Sequence, residues 1–174
     1  MRRISLTGPE SSGKSTLARQ LAAHYGTVFV PEYARQYLEE NGPGYTLADL
    51  EAIAHGQLAA EDAAASQATG LLVCDTDLLV IKIWAENAFG TCPGWVLEEL
   101  ARPRYALTLL LAPDLPWTPD PLREHPDPAQ RWHFYELYRQ ELAQRNWPFV
   151  EINGLPEQRL TQAVAAVATL PGKL

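Results

Sequence analysis

Nine consecutive residues near the beginning of the chain, Gly8-Pro9-Glu10-Ser11-Ser12-Gly13-Lys14-Ser15-Thr16, contain G-x-x-x-x-G-K-S, the pattern of a phosphate-binding loop. The pattern carries meaning only between a strand and a helix, and the flanks supply both. Arg2-Arg3-Ile4-Ser5-Leu6-Thr7 is a short strand-like run. From Thr16 to Tyr25 apolar residues recur at helical spacing, and Gly26 stands where such a helix stops. Gly8 and Gly13 allow backbone conformations that side chains block. The loop then turns its N–H groups toward the β- and γ-phosphates of a nucleotide, at the positive end of a helix dipole. Lys14 is expected to bridge the β/γ oxygens, and the Ser15 hydroxyl to ligate Mg²⁺.

A chain of 174 residues, 47% hydrophobic and 20% charged, is long enough for one domain with a substantial core, here residues 1–174. The formal net charge of -7 argues against a broad nucleic-acid-binding surface, though one local nest can still hold ATP on an acidic protein. Cys74 and Cys92 show no metal-binding spacing, and Cys74 sits in an apolar run as a buried thiol. The chain opens directly into its first strand, without a signal peptide or a span long enough for a membrane, so a soluble cytoplasmic protein is expected. Homo-oligomerisation is left open.

Along the chain, strand and helix signals alternate. Thr27 to Val30 reads as a second strand, and a helix follows from about Tyr33 to a break at Asn41-Gly42-Pro43-Gly44. Thr46 is the N-cap of a long alanine-rich helix to Gln67, with Asp49 completing an acidic capping box. Gly70 to Asp75 is a third strand, apolar until its last residue, as a strand covered on both faces should be. Helices follow from Asp77 to about Phe89 and from Pro93 to Ala101. A strand over Tyr105 to Leu111 leads into a proline-rich segment at about 113–128, then a helix from Asp127 to Arg145, a strand over Phe149 to Ile152 and a closing helix from Leu155 to Leu170. The expected fold is α/β, a three-layer P-loop NTPase fold with a five-stranded parallel sheet and helices on both faces.

Ligands in such sheets sit at the carboxyl ends of the strands, where three acids fall. Asp75 ends the third strand, as a Mg²⁺ ligand or as a helix N-cap. Asp77 is placed to approach the acceptor or the metal, or to match the dipole of the next helix. Glu32, after the second strand, is the candidate base for an acceptor hydroxyl. Arg35, one turn on, pairs with Glu32 or touches the substrate. In the proline-rich segment, a lid or a stiff surface connection, Arg123 is placed to neutralise the γ-phosphate during transfer, with Arg131 as the second candidate. Tyr33, Tyr37, Trp84, Trp95 and Trp117 are candidates for stacking on a planar base.

Four stretches together, Gly8 to Leu17, Pro31 to Tyr37, Asp75-Thr76-Asp77-Leu78-Leu79 and Pro116 to Arg123, resemble the ribosylnicotinamide kinase domain of NadR-type proteins. The resemblance covers nearly the whole chain. It implies a kinase that uses Mg²⁺ and ATP to phosphorylate the 5′-hydroxyl of nicotinamide riboside, giving nicotinamide mononucleotide. It places Gly8, Pro9, Glu10, Ser11, Ser12, Gly13, Lys14, Ser15 and Thr16 on the nucleotide and Asp75 and Asp77 on the family's acidic triplet. Glu32 and Arg35 fall on its E-x-x-R, Tyr33 lies within that motif, and Arg123 falls on the lid arginine. The partners implied are a nucleoside and an NTP. The chain departs from the pattern at Pro121, where members carry glycine, and at Pro31, where some carry tryptophan. It has no H-x-G-H nucleotidyltransferase motif, so a stand-alone kinase is expected. Another nucleoside kinase, or a nucleotide-binding regulator, is the alternative.

Overall fold

The computed structural model describes residues 1–171. Five parallel strands, β1 (Arg2–Thr7), β2 (Phe29–Val30), β3 (Leu71–Asp75), β4 (Leu107–Leu111) and β5 (Phe149–Ile152), form one sheet in the order β2-β3-β1-β4-β5. Between them run α1 (Lys14–Tyr25), α2 (Tyr33–Asn41), α3 (Leu47–Ala65), α4 (Leu78–Phe89), α5 (Gly94–Leu100) and α6 (Pro128–Gln144), and α7 (Pro156–Ala168) follows β5.

The central strands β3 and β4 are buried at every residue because both faces of the sheet are covered. On one face Ile4, Leu6, Leu71, Val73 and Leu109 pack against Leu17 and Leu21 of α1 and Ala163 and Val167 of α7. On the other, Leu110 joins Leu50 and Ile53 of α3, Leu79 of α4, Val96 of α5 and Tyr138 and Leu142 of α6. The residues between, Ser5 and Thr108, bond to each other at 2.9 Å across two central strands.

Local signals set the boundaries. Thr46 accepts from the Asp49 N–H while Asp49 accepts from the Thr46 N–H at 2.8 Å, the expected reciprocal cap. Helix α1 begins at Lys14, before the expected Thr16, because Gly13 takes the N-cap in a left-handed conformation. Strand β2 is shorter than expected. Its lead-in residue Thr27 uses its hydroxyl to accept from the Thr69 N–H at 3.3 Å rather than joining the ladder. Strand β4 starts at Leu107, two residues later than expected, although the Ala106 N–H already donates to the Arg3 carbonyl at 2.8 Å; the Tyr105 hydroxyl donates to Glu61 at 2.7 Å. No helix among the described residues is long and apolar enough to cross a membrane.

Candidate active site

The loop between β1 and α1 presses onto the end of β4. Gly8 has φ +134°, and a Cβ there would stand 2.6 Å from the Leu111 carbonyl oxygen, so only glycine permits this approach. Ser11 is left-handed at φ 55°, a strained state for a residue with a side chain. Its hydroxyl accepts from the Thr118 N–H at 3.0 Å. Lys14 lies along the loop and donates to the carbonyls of Gly8 (2.9 Å) and Pro9 (2.8 Å). The Ser12 hydroxyl donates to the Pro9 carbonyl at 2.8 Å.

Asp75 pairs in register with Leu6, which places it beside the start of this loop. Three consecutive residues, Asp75, Thr76 and Asp77, each keep a buried side-chain oxygen without a hydrogen-bond partner among the described residues. Thr76 is left-handed at φ 83°, unusual for a β-branched residue. Burial pushes the Asp75 carboxyl up to about 6; the Glu32 charge adds to this, while the Ser15 hydroxyl and Lys14 pull down. Burial likewise pushes Asp77 up to about 6, against the pull of the Ser5 hydroxyl and the backbone of Val80 and Leu79. Asp77 caps α4, accepting from the Leu79 N–H at 3.0 Å and the Thr7 hydroxyl at 3.3 Å.

Residues 113–128 lie over the phosphate loop. The Glu10 carboxylate accepts from the backbone N–H groups of Glu124 and His125, each at 3.0 Å. Arg35 of α2 pairs with Asp120 at 3.0 Å and with Glu39 at 3.6 Å, and not with Glu32. Arg123 donates to the Thr118 carbonyl, reaches the Ser11 hydroxyl at 3.5 Å and lies 5.8 Å over the Trp117 ring. Arg131, the second lid candidate, is instead buried on α6 behind the loop.

A cavity of about 230 Å³ opens between these elements. The phosphate loop, Glu32, Arg35 and Arg123 all line it. No donor among the described residues bonds the Glu32 carboxylate. Asp75 lies behind the lining, 2% exposed, and Asp77 caps its helix through one oxygen while the other has no partner among the described residues. Tyr33 does not line the cavity: its ring fills the space over Gly56, where a Cβ would meet it at 2.0 Å. Of the other aromatic candidates, Tyr37 donates to Asp49 at 2.6 Å and Trp95 stacks on His55 at 3.6 Å, while Trp84 lines the cavity. Sequence reasoning missed Tyr45, Asn87 and Tyr138, which also line it. Tyr45 packs edge-on to Trp84 at 4.6 Å and donates to Glu124 at 2.9 Å. Its position directly after the Gly42-Pro43-Gly44 break was the available signal.

No group of three or more His, Cys, Asp or Glu is clustered for a metal among the described residues. Mg²⁺ characteristically takes one or two carboxylates, waters and substrate phosphates. The unpartnered Asp75 oxygen near Ser15 fits that donor set.

The pattern of the AAA domain family matches residues 3–159. The chain belongs to that family. This AAA domain is 30% identical over 156 residues to the trifunctional NAD biosynthesis/regulator protein NadR of Escherichia coli K12, and 30% identical to that of Salmonella typhimurium LT2. The match takes in 87% of the chain but spans only 38% of the length of each relative. Among solved structures, NadR in complex with NAD and AMP-PNP superposes with a TM-score of 0.78 at 24% identity, covering 99% of this chain and 50% of that one. NadR in complex with NR gives a TM-score of 0.72 at 22% identity, covering 99% and 52%. A deoxyadenosine kinase from M. mycoides gives 0.62 at 10% identity, covering 96% and 99%. The fold is that of the P-loop NTPases, and the deoxyadenosine kinase shares it.

Proposed function

We propose that the protein is a kinase that moves the γ-phosphoryl group of ATP to the 5′-hydroxyl of nicotinamide riboside. One observation carries the reading: the unpaired Glu32 carboxylate shares a single cavity with the phosphate loop. The likeness to NadR supports the choice of acceptor. Glu32 accepts the hydroxyl proton; the freed oxygen bonds to the γ-phosphorus as the bond to the bridging oxygen breaks, releasing ADP. Lys14 leaves the Gly8 and Pro9 carbonyls for the β/γ oxygens, and Arg123 neutralises charge on the group in flight. Ser15 and Asp75 are the residues that would hold Mg²⁺, which neutralises and orients the phosphates. Asp77 sets the α4 terminus beside the reacting centre, and Arg35 anchors the lid through Asp120. Trp84 and Tyr45 supply flat surfaces for a planar base.

A second reading, phosphorylation of another nucleoside, draws on the fold shared with the deoxyadenosine kinase over 96% of this chain. A coupled ADP-release assay with Mg·ATP and a nucleoside panel separates them. Release with nicotinamide riboside alone supports the first reading. Release with a common nucleoside instead selects the second, and no acceptor dependence removes both.

A further inference from the structure

Every carbonyl of the phosphate loop from Gly8 to Ser12 is held by a cation. Lys14 takes those of Gly8 and Pro9. The next three belong to two arginines from distant helices. Arg131 of α6 donates to the Glu10 carbonyl at 3.2 Å and the Ser11 carbonyl at 3.1 Å. Arg159 of α7 donates to the Ser12 carbonyl at 2.8 Å. Both also grip the exit of β4: Arg131 the Leu115 carbonyl at 3.3 Å, and Arg159 the Ala112 carbonyl at 3.1 Å and the Asp114 carboxylate. The two side chains are buried, 3% and 2% exposed.

Buried guanidinium groups are ordinarily matched by carboxylates, because an arginine does not lose its proton. Arg159 has Asp114. Arg131 forms no ion pair among the described residues, and all four of its hydrogen bonds go to carbonyls. A full positive charge is thus buried directly behind a loop shaped for anions. A loop whose carbonyls are pulled back toward the helices has its N–H groups turned the other way, into the cavity.

We propose that Arg131 and Arg159 are positioning residues of the phosphate site. They fix the outward set of loop carbonyls so that the amides converge on a polyphosphate, and that polyphosphate is the counter-ion Arg131 lacks. The proposal rests on the loop binding a nucleotide and not on which nucleoside accepts the phosphoryl group.

The test is calorimetric binding of inorganic tripolyphosphate and AMP-PNP to the whole chain, with thermal unfolding alongside. Arg131→Met is expected to weaken tripolyphosphate by about tenfold or more, a charge-assisted contact's worth. Arg131→Lys keeps the charge but loses the fork that spans two carbonyls, and is expected to weaken it by about threefold. Arg159→Lys is expected to behave like Arg131→Lys. In turnover assays the KM for ATP rises while the KM for the nucleoside stays. A folded Arg131→Lys protein with wild-type affinity for tripolyphosphate overturns the proposal, whichever way the methionine variant folds. A lowered melting temperature with unchanged affinity does the same, since it marks a purely structural role. Wild-type protein that binds no tripolyphosphate overturns this proposal and the nucleotide reading together; wild-type binding lost in Lys14→Ala but kept in the arginine variants overturns this one alone.

Discussion

Replacing Asp75 by asparagine should stabilise the folded chain at neutral pH while removing its activity. The carboxyl is 2% exposed, and burial with the nearby Glu32 charge raises it to about 6 from 3.8. A shift of about two pH units corresponds to about 3 kcal/mol between the two protonation states. The folded state binds the proton more tightly than the unfolded one. Its stabilising contribution is therefore complete below pH 4 and is lost as the pH rises through 6. Asparagine does not ionise and escapes that loss. From pH 5 to pH 8 the variant should gain on the wild type by about 1.5 kcal/mol, roughly half the full effect, or about 3–6 °C for a domain of this size. Comparing the two proteins at both pH values cancels the fixed cost of burying an amide. Thermal unfolding without nucleotide supplies the stability, and Mg·ATP turnover at pH 7.5 supplies the activity, which should fall by about a thousandfold. A stability gap that narrows toward pH 8 refutes the buried-carboxylate argument. Turnover near wild type refutes the metal role.

Three further substitutions probe separate parts of the site. Glu32→Gln should lower kcat by about a hundredfold or more while AMP-PNP affinity stays within a factor of about two; near-normal turnover removes Glu32 as the base. Glu10→Ala cuts the tie to the Glu124 and His125 amides, so limited proteolysis within residues 113–128 should speed up, with little change in melting temperature; unchanged cleavage rates would show that the other ties hold the lid alone. Gly8→Ala drives a methyl into the Leu111 carbonyl at 2.6 Å, and should abolish AMP-PNP binding at a stability loss of about 2 kcal/mol or more; retained binding would contradict the tight loop packing.

The fold was legible because each signal was local. Apolar runs, the Thr46 cap and the Gly42-Pro43-Gly44 break each act within a few residues, and the parallel sheet follows from the alternation of strands and helices. Two boundaries moved for different reasons: Gly13 opened α1 early through its backbone, and the Thr27 hydroxyl found Thr69 from 42 positions away. The site was legible only in part. A sequence shows Glu32 and Arg35 one helical turn apart, but not that Asp120 takes Arg35 from 85 positions away. Tyr33 sits in a motif beside Glu32, yet the small residue at position 56 draws its ring against α3. Arg131 was read only as a second lid arginine and Arg159 carried no motif, because separations of 120 and 147 residues from the loop carbonyls they hold leave no local trace of those contacts.

The most direct test of the central claim is product identification. The protein is incubated with Mg·ATP and nicotinamide riboside, and the mixture is resolved by phosphorus NMR and mass spectrometry. The account predicts nicotinamide mononucleotide, with phosphorus on the 5′-oxygen, and ADP in equal amounts, and neither product in Lys14→Ala. ADP accompanied by free phosphate, with the nucleoside unchanged, would contradict it.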